Sequence, residues 1–264
     1  MSDSQEARLS ELDGVLDSQQ LTPQLAEELF AVVDLLNGQP ALRRVLTDPG
    51  VDPDARSGLV DQLFGSQVSD ATVQVLRAAT GLRWSGGAAL VAALDRLGVR
   101  AVAATSAQAG TLDQVEDELF RFGRLVEGDP GLRAAIGDRS APVSARQQLV
   151  SDLLDGRADA ATVFLARRAA GERSRNFELT LDGYLNLVAA ERGRAVAHVV
   201  VARPLTDDQQ QRLTEVLGAQ LGRPVSLQVV VDSTVVGGVR VTVGDEVIDG
   251  TLSNRLSHAR REIS

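Results

Sequence analysis

Few side chains in this sequence could carry catalytic chemistry. Its two histidines, His198 and His258, are the groups best suited to proton transfer near neutral pH or to holding a metal. Neither has a second histidine three or four residues away, the spacing at which one helical turn offers two ligands to one ion. His198 lies in a β-branched run and His258 in a helical one, so both are expected to be structural. The glycines of GGVRVTVG, residues 237–244, lack the third glycine and the following helix of a dinucleotide-binding turn. No phosphate-binding loop and no G-x-S-x-G elbow occurs. Asp245 and Glu246 are neighbours in a turn, where carboxylates are solvated, and Asp249 is placed to cap a helix rather than to act as a base. Cysteine is absent, which removes thiolate nucleophiles and thiolate metal sites. This inventory predicts a protein that is not an enzyme and that uses no cofactor and no metal. One cluster carries concentrated charge: Arg167, Arg168, Arg173 and Arg175. It reads either as the solvated end of a helix, where cations complement the helix dipole, or as a contact for acidic residues on a partner helix.

The elements that hold these residues follow from composition and pattern. At 264 residues the chain is long enough for two or three compact units. Aromatic residues make up only 3%, so the core must be built from Leu, Val and Ala, which suits closely packed helices. A net charge of −9 disfavours nucleic acid and anionic lipid as partners. No apolar run approaches the length of a membrane span, and the opening MSDSQEARLSEL is polar and acidic, unlike a secretion signal. A cytosolic or peripheral location is expected. Lys is absent and every strong base is Arg, which points to a GC-rich coding genome.

The chain also duplicates itself. Residues 28–83 align without a gap on residues 118–173. Glu28-Leu29-Phe30 matches Glu118-Leu119-Phe120, Ala55-Arg56 matches Ala145-Arg146, and Ala71-Thr72-Val73 matches Ala161-Thr162-Val163. The spacing exceeds the repeats of about 33–47 residues that build helical solenoids, so it reads as one duplicated helical domain. Thr22-Pro23 and Asp52-Pro53 mark helix starts in the first copy. In the second, Thr111-x-x-Gln114 and Ser144-x-x-Gln147 have the form of capping boxes and Asp159 can cap a third helix. No helix is expected to exceed about 20 residues, and each has one apolar face, so the helices must bundle to be stable.

After Gly193 the pattern changes. Residues 195–201 are a β-branched run, Thr206 to Gln209 cap a helix with Leu213, Val216, Leu217 and Leu221 on its inner face, and 225–231 alternate as a second strand. Val239, Val241 and Val243 alternate with Arg240 and Thr242, Val247-Ile248 resumes the extended run, and Asp249-Gly250-Thr251 opens a final helix. The fold class is therefore mainly α with a small α/β C-terminal part, two related helical bundles followed by a β-α-β-β-α unit. Boundaries are expected at 1–94, 95–194 and 195–264.

The last segment carries a specific series: Asp232, the pair Gly237 and Gly238, Gly244 and Asp245, Val247-Ile248-Asp249-Gly250, then Arg255 and Leu256. In this order near the end of the chain it resembles the C-terminal signature of the delta subunits of rotary ATP synthases, whose mitochondrial counterpart is the oligomycin-sensitivity-conferring protein. Residues from about 95 to 264 look like one complete member. Residues 1–94 then form an additional bundle, as in the long actinobacterial forms, and the aromatic residues usual in the family's first helix are missing. The resemblance implies a stator subunit of the peripheral stalk, on the cytoplasmic face of a bacterial plasma membrane, associated with that membrane through the complex only. Its implied partners are the alpha and beta subunits of the catalytic head and the b subunit of the stalk. In the family a groove between the first and fifth helices of the bundle, here about 97–108 and 159–170, holds the N-terminal segment of an alpha subunit. Val163, Ala166, Arg167 and Ala169 are the candidates for that contact, with bundle core as the alternative for the three apolar ones. A competing reading is a helical adaptor that is not an enzyme and is unrelated to ATP synthase.

Overall fold

The computed structural model describes residues 3–172, 175–193, 195–222, 224–232, 239–243 and 246–249. Local chemistry sets most helix starts. α1 (Asp3–Asp17) is followed by α2 (Pro23–Gly38), where the Thr22 hydroxyl accepts from the Leu25 N–H and Pro takes the first position, which needs no donor. α3 (Pro40–Leu46) leads to α4 (Pro53–Phe64), capped by Asp52, and α5 (Asp70–Gly81), capped by Ser69. α6 (Gly87–Ala109) ends at Gly110, whose φ of 74° only glycine adopts freely. α7 (Leu112–Gly128), α8 (Pro130–Gly137), α9 (Val143–Leu154), α10 (Ala160–Gly171) and α11 (Phe177–Arg192) complete the second copy.

Three details differ from expectation. Thr111 makes no capping bond from its side chain, because the tight turn at Gly110 gives it a ψ of 2° and ties its N–H to the Ser106 carbonyl; the Gln114 amide donates to Glu118 instead. Ser144 lies inside α9 rather than before it, and the Pro142 carbonyl starts that helix by accepting from Ala145 and Arg146. α6 has 23 residues, longer than any helix expected.

That length has a structural cause. α2–α5 recur as α7–α10, and α2 packs on α6 as α7 packs on α11. α6 is thus the last helix of the first copy, yet it also packs on α7, α10 and α11 as the first helix of the second. Positions 94 and 95, where two bundles were expected to part, lie within its unbroken run. A helix with neighbours on several sides must be apolar nearly all round. Every residue from Leu97 to Ala104 is accordingly buried. Contacts group residues 1–16 and 21–192 as one compact unit and residues 193–264, with the stretch 17–20, as a second.

In the second unit β1 (Ala195–Val201) is central, parallel to β2 (Val225–Val231) on one side and antiparallel to β3 (Val239–Val243) on the other, which pairs antiparallel with β4 (Glu246–Asp249). The strand order is β2-β1-β3-β4. α12 (Asp207–Leu221) begins with a complete capping box between Thr206 and Gln209 and ends at Gly222 in the left-handed region. Ala197, Val199, Val201, Leu217, Val225, Leu227 and Val241 form the core of this unit. Val216 was expected inside but is exposed, because the packed stripe of α12 is the narrower Leu213, Leu217 and Leu221. The final helix lies outside the described residues.

Polar ties repeat with the sequence. The Glu28 carboxylate accepts from the Ser69 N–H at 3.0 Å and from the hydroxyls of Ser69 and Thr72 at 2.6 Å. In the second copy Glu118 accepts from the Asp159 N–H at 2.8 Å and the Thr162 hydroxyl at 2.6 Å. Burial works against charge on both glutamates, but these bonds hold each carboxyl below its ordinary range. A second tie crosses between copies. Arg100 of α6, 2% exposed, pairs with Asp13 of α1 and lies 3.7 Å from Glu191 of α11. Arg96 forks onto the two oxygens of Asp13 at 2.5 and 2.8 Å.

Removing one member of such a buried group leaves the others charged and undersolvated. Arg100→Ala should lower the unfolding free energy by about 3–5 kcal/mol in urea titration. Burial tends to raise the Asp13 pKa, but the Arg96 bonds and the Arg100 charge hold it below its ordinary value. The stability this supplies is complete above the unfolded-state pKa and is lost as pH falls through the depressed native one. Asp13→Asn should therefore be less stable at neutral pH and show a flatter decline below about pH 4, read from melts across pH. A chain starting at residue 95 loses the first turns of α6 and the helix that covers it. It should melt well below the full chain, or without a sharp transition, by circular dichroism.

Candidate partner-binding surface

α10 is where sequence expectation and structure meet most closely. Asp159 caps it through the Ala161 N–H at 2.8 Å, and Thr162 is anchored to α7 by Glu118. This orientation turns Ala166 and Ala169 into the core, both essentially inaccessible, and leaves Val163 at 9% exposure. Arg167, on the opposite side, is exposed. Its counterpart in the first copy, Arg77, pairs with Asp61 at 2.6 Å. Ser151 stands at the place of Asp61 in the second copy, and Arg167 has no ion-pair partner among the described residues. Arg175 is exposed as well, and Arg173 lies outside the described residues.

The fourth member of the arginine cluster does something else. Arg168 bonds Asp95 of α6 at 3.1–3.2 Å and Asp34 of α2 at 2.5 Å, and its guanidinium lies 4.7 Å from the centre of the Phe30 ring. The Tyr184 hydroxyl of α11 donates to the other Asp95 oxygen at 3.0 Å. Phe164 packs on Phe30 with ring centroids 5.5 Å apart. Burial pushes the Asp95 carboxyl above its ordinary range despite Arg168 and Tyr184. Burial, with Asp95 adding to it, also pushes the Tyr184 phenol well up. Arg168 loses some basicity to burial but gains more from Asp95 and Asp34, so it stays charged. It is a joint between the two copies and is saturated by this chain's own carboxylates.

The sequence held one sign of this joint that spacing alone does not decode. Among the differences between the copies here, Phe164 replaces Gln74 and Arg168 replaces Ala78. These are the positions of α10 that meet α2. Beside them a cleft of about 560 Å³ is lined by Asp34, Asn37, Val143, Gln147, Arg168 and Glu172. It holds carboxylates and amides but no nucleophile paired with a base. Among the described residues no three His, Asp or Glu side chains come together as a metal site.

In the second unit, the Asp232 N–H donates to the Val201 carbonyl at 2.8 Å, holding the end of β2 against β1. His198 stands in β1 opposite Gln228 and Thr242. Asp249 closes β4 opposite Arg240, and the helix it was expected to cap lies outside the described residues. So do Gly237, Gly238, Gly244, Asp245, Gly250, Arg255, Leu256 and His258.

Burial separates two substitutions on α10. Val163→Asp places a carboxylate where little water reaches and should cost about 2–4 kcal/mol of stability. Arg167→Glu changes an exposed side chain and should leave stability within about 0.5 kcal/mol of the parent. Thermal melts of both proteins check this.

The profile of the ATP synthase delta (OSCP) subunit family matches residues 99–263, which take in the C-terminal part of α6, the second helical copy and the sheet unit. Similar proteins include the ATP synthase subunit delta of Cutibacterium acnes, 43% identical and aligned over 96% of both chains. That of Streptomyces avermitilis is 45% identical over 96% of this chain and 93% of its own. That of Kineococcus radiotolerans is 44% identical over 90% and 87%. These alignments span nearly the whole chain and so include most of the first helical copy, which precedes the family profile. A chain from the cryo-EM structure of the Toxoplasma gondii mitochondrial ATP synthase hexamer aligns with 62% of this chain and 96% of its own at 16% identity, with a TM-score of 0.27, too low to bear on the fold. The family match and these relatives set aside an adaptor unrelated to ATP synthase. The chain belongs to the ATP synthase delta (OSCP) subunit family.

Proposed function

We propose that this non-catalytic subunit is the stator link of a rotary proton-translocating ATP synthase, joining the catalytic head to the peripheral stalk against rotor torque. The observation that carries the reading is the family match over residues 99–263. The helical copies would grip the N-terminal segments of alpha subunits, and the sheet unit would hold the end of the b subunit. Association with the cytoplasmic face of the bacterial membrane is then through the complex. No helix among the described residues is long and apolar enough to cross a membrane. In this reading residues 1–94, 95–194 and 195–264 would act as first bundle, second bundle and stalk-facing unit, with α6 shared by the first two.

The architecture suits this work. A link under torque needs stiffness and affinity rather than chemistry. A single helix common to both copies, crossed by buried ion pairs, leaves no flexible linker between them. Contacts able to resist torque should be nanomolar or better, near −12 kcal/mol. On α10 the side chain available to a partner is Arg167, with Val163 at the margin and Ala166 and Ala169 shaping the helix from beneath.

Two measurements decide the matter. The full chain used as bait on detergent-solubilised membranes should recover alpha, beta and b subunits together; their absence would sink the reading. Arg167→Glu should weaken binding of an alpha N-terminal peptide about tenfold by calorimetry with the melting temperature unchanged. Unchanged affinity would place the alpha contact elsewhere.

A further inference from the structure

The two copies align without a gap, and one pair of identical residues has very different surroundings. Phe30 of α2 and Phe120 of α7 occupy the same place in the repeat, but Phe30 is 3% exposed and Phe120 54%. Phe30 is enclosed from two sides. Beneath it Gly98 of α6 leaves a seat that even one added carbon would fill, since a Cβ there would lie 2.8 Å from the ring. Over it close Phe164 and Arg168 of α10, one helical turn apart, and Arg168 also takes Asp34, one turn along α2 from Phe30. In the second copy a valine, Val188, stands where α6 has Gly98. Arg124 stands where α2 has Asp34, and beside it Leu125 is 55% exposed, its counterpart Leu35 being partly open as well at 41%. α7 therefore repeats a helix-docking surface with its charge reversed and its cover missing among the described residues.

We propose that α7 docks an amphipathic helix of another polypeptide of the ATP synthase along Phe120, Arg124 and Leu125. The cover in the first copy is itself a helix, with an aromatic residue and a charge one turn apart. The same arrangement against Arg124 calls for an apolar or aromatic residue followed one turn later by a carboxylate. A second copy of this chain does not meet that description. Its Phe164–Arg168 pair is committed to its own α2 and would set Arg168 against Arg124, and the matching positions of α5 are Gln74 and Ala78. Arg124 now pairs with Glu127 on its own helix, an exposed contact that exchanges readily for a better one. The docked surface is distinct from the α10 contact proposed above and is tested apart from it.

The test uses the assembled complex, purified from membranes that carry the full chain with photoreactive benzoylphenylalanine at position 120. On irradiation it should form a cross-link to a helix of another subunit, mapped by mass spectrometry to a segment with an apolar residue and Asp or Glu three or four positions away. Arg124→Glu should cut the yield at least fivefold while leaving the melting temperature of the isolated protein unchanged. Replacing the partner carboxylate by Arg in that variant should restore it. A cross-link to a second copy, to this chain itself or to a segment without a carboxylate would overturn the proposal. So would the absence of any cross-link, or a yield indifferent to Arg124→Glu. Arg167→Glu leaves the position-120 yield intact if the two surfaces are separate, so failure of the α10 contact would not be read as failure here.

Discussion

The helical unit depends on one constraint: α6 must satisfy two bundles at once. As the last helix of one copy and the first of the next, it offers apolar surface to α2 on one side and to α7, α10 and α11 on others. Only small and aliphatic side chains can be packed on so many sides, and the run from Leu97 to Ala104 contains one charge, Arg100. Burying that cation costs several kcal/mol unless it is paired, which is why Asp13 and Glu191 converge on it from helices at opposite ends of the repeat. The same logic governs Arg168, whose charge is retained by Asp95 and Asp34 at the meeting of α2, α6 and α10.

Duplication with a shared helix gives a property that neither copy has by itself. Two bundles on a linker would bend at the linker. Here any relative movement of the copies must bend a continuous helix or break buried ion pairs in a medium where charges cannot be resolvated cheaply. In the stator role proposed above, stiffness of this kind would convert local affinity into resistance to torque. The polar ties of Glu28 and Glu118 act within each copy instead, each fastening the start of one helix to the flank of another.

The copies diverge where they serve the whole. Gly98 against Val188, Ala78 against Arg168 and Gln74 against Phe164 are the exchanges that let α2 sit beside α10. Arg77 is held by Asp61, whereas Arg167 is left open where Ser151 replaces the acid. Divergence inside the repeat thus marks internal interfaces where the new residues meet the other copy, and where an internal partner is removed it leaves the open side chain of the contact proposed above.

Much of this was legible in the residues. Hydrophobic period and capping chemistry placed the helices and strands, because both act over a few residues: Thr22, Asp52, Asp159 and Thr206 cap where their type and position say they should. The glycine-rich C-terminal series pointed to the family and the duplicated blocks to its long form, because a long ordered match is not produced by composition. The direction in which α10 faces was not legible, since 3.6-residue spacing makes Val163, Ala166 and Ala169 one stripe but does not say what covers it. Nor was the fusion of two helices into α6, because a shared helix has no cap at the point where two domains would part. The roles of Arg100, Arg168, Glu28 and Glu118 depended on partners dozens of residues away. Sequence by itself determined the elements, the repeat and the family; only tertiary structure decided which charges are buried joints and which remain open, because burial and pairing are set by contacts distant in the chain.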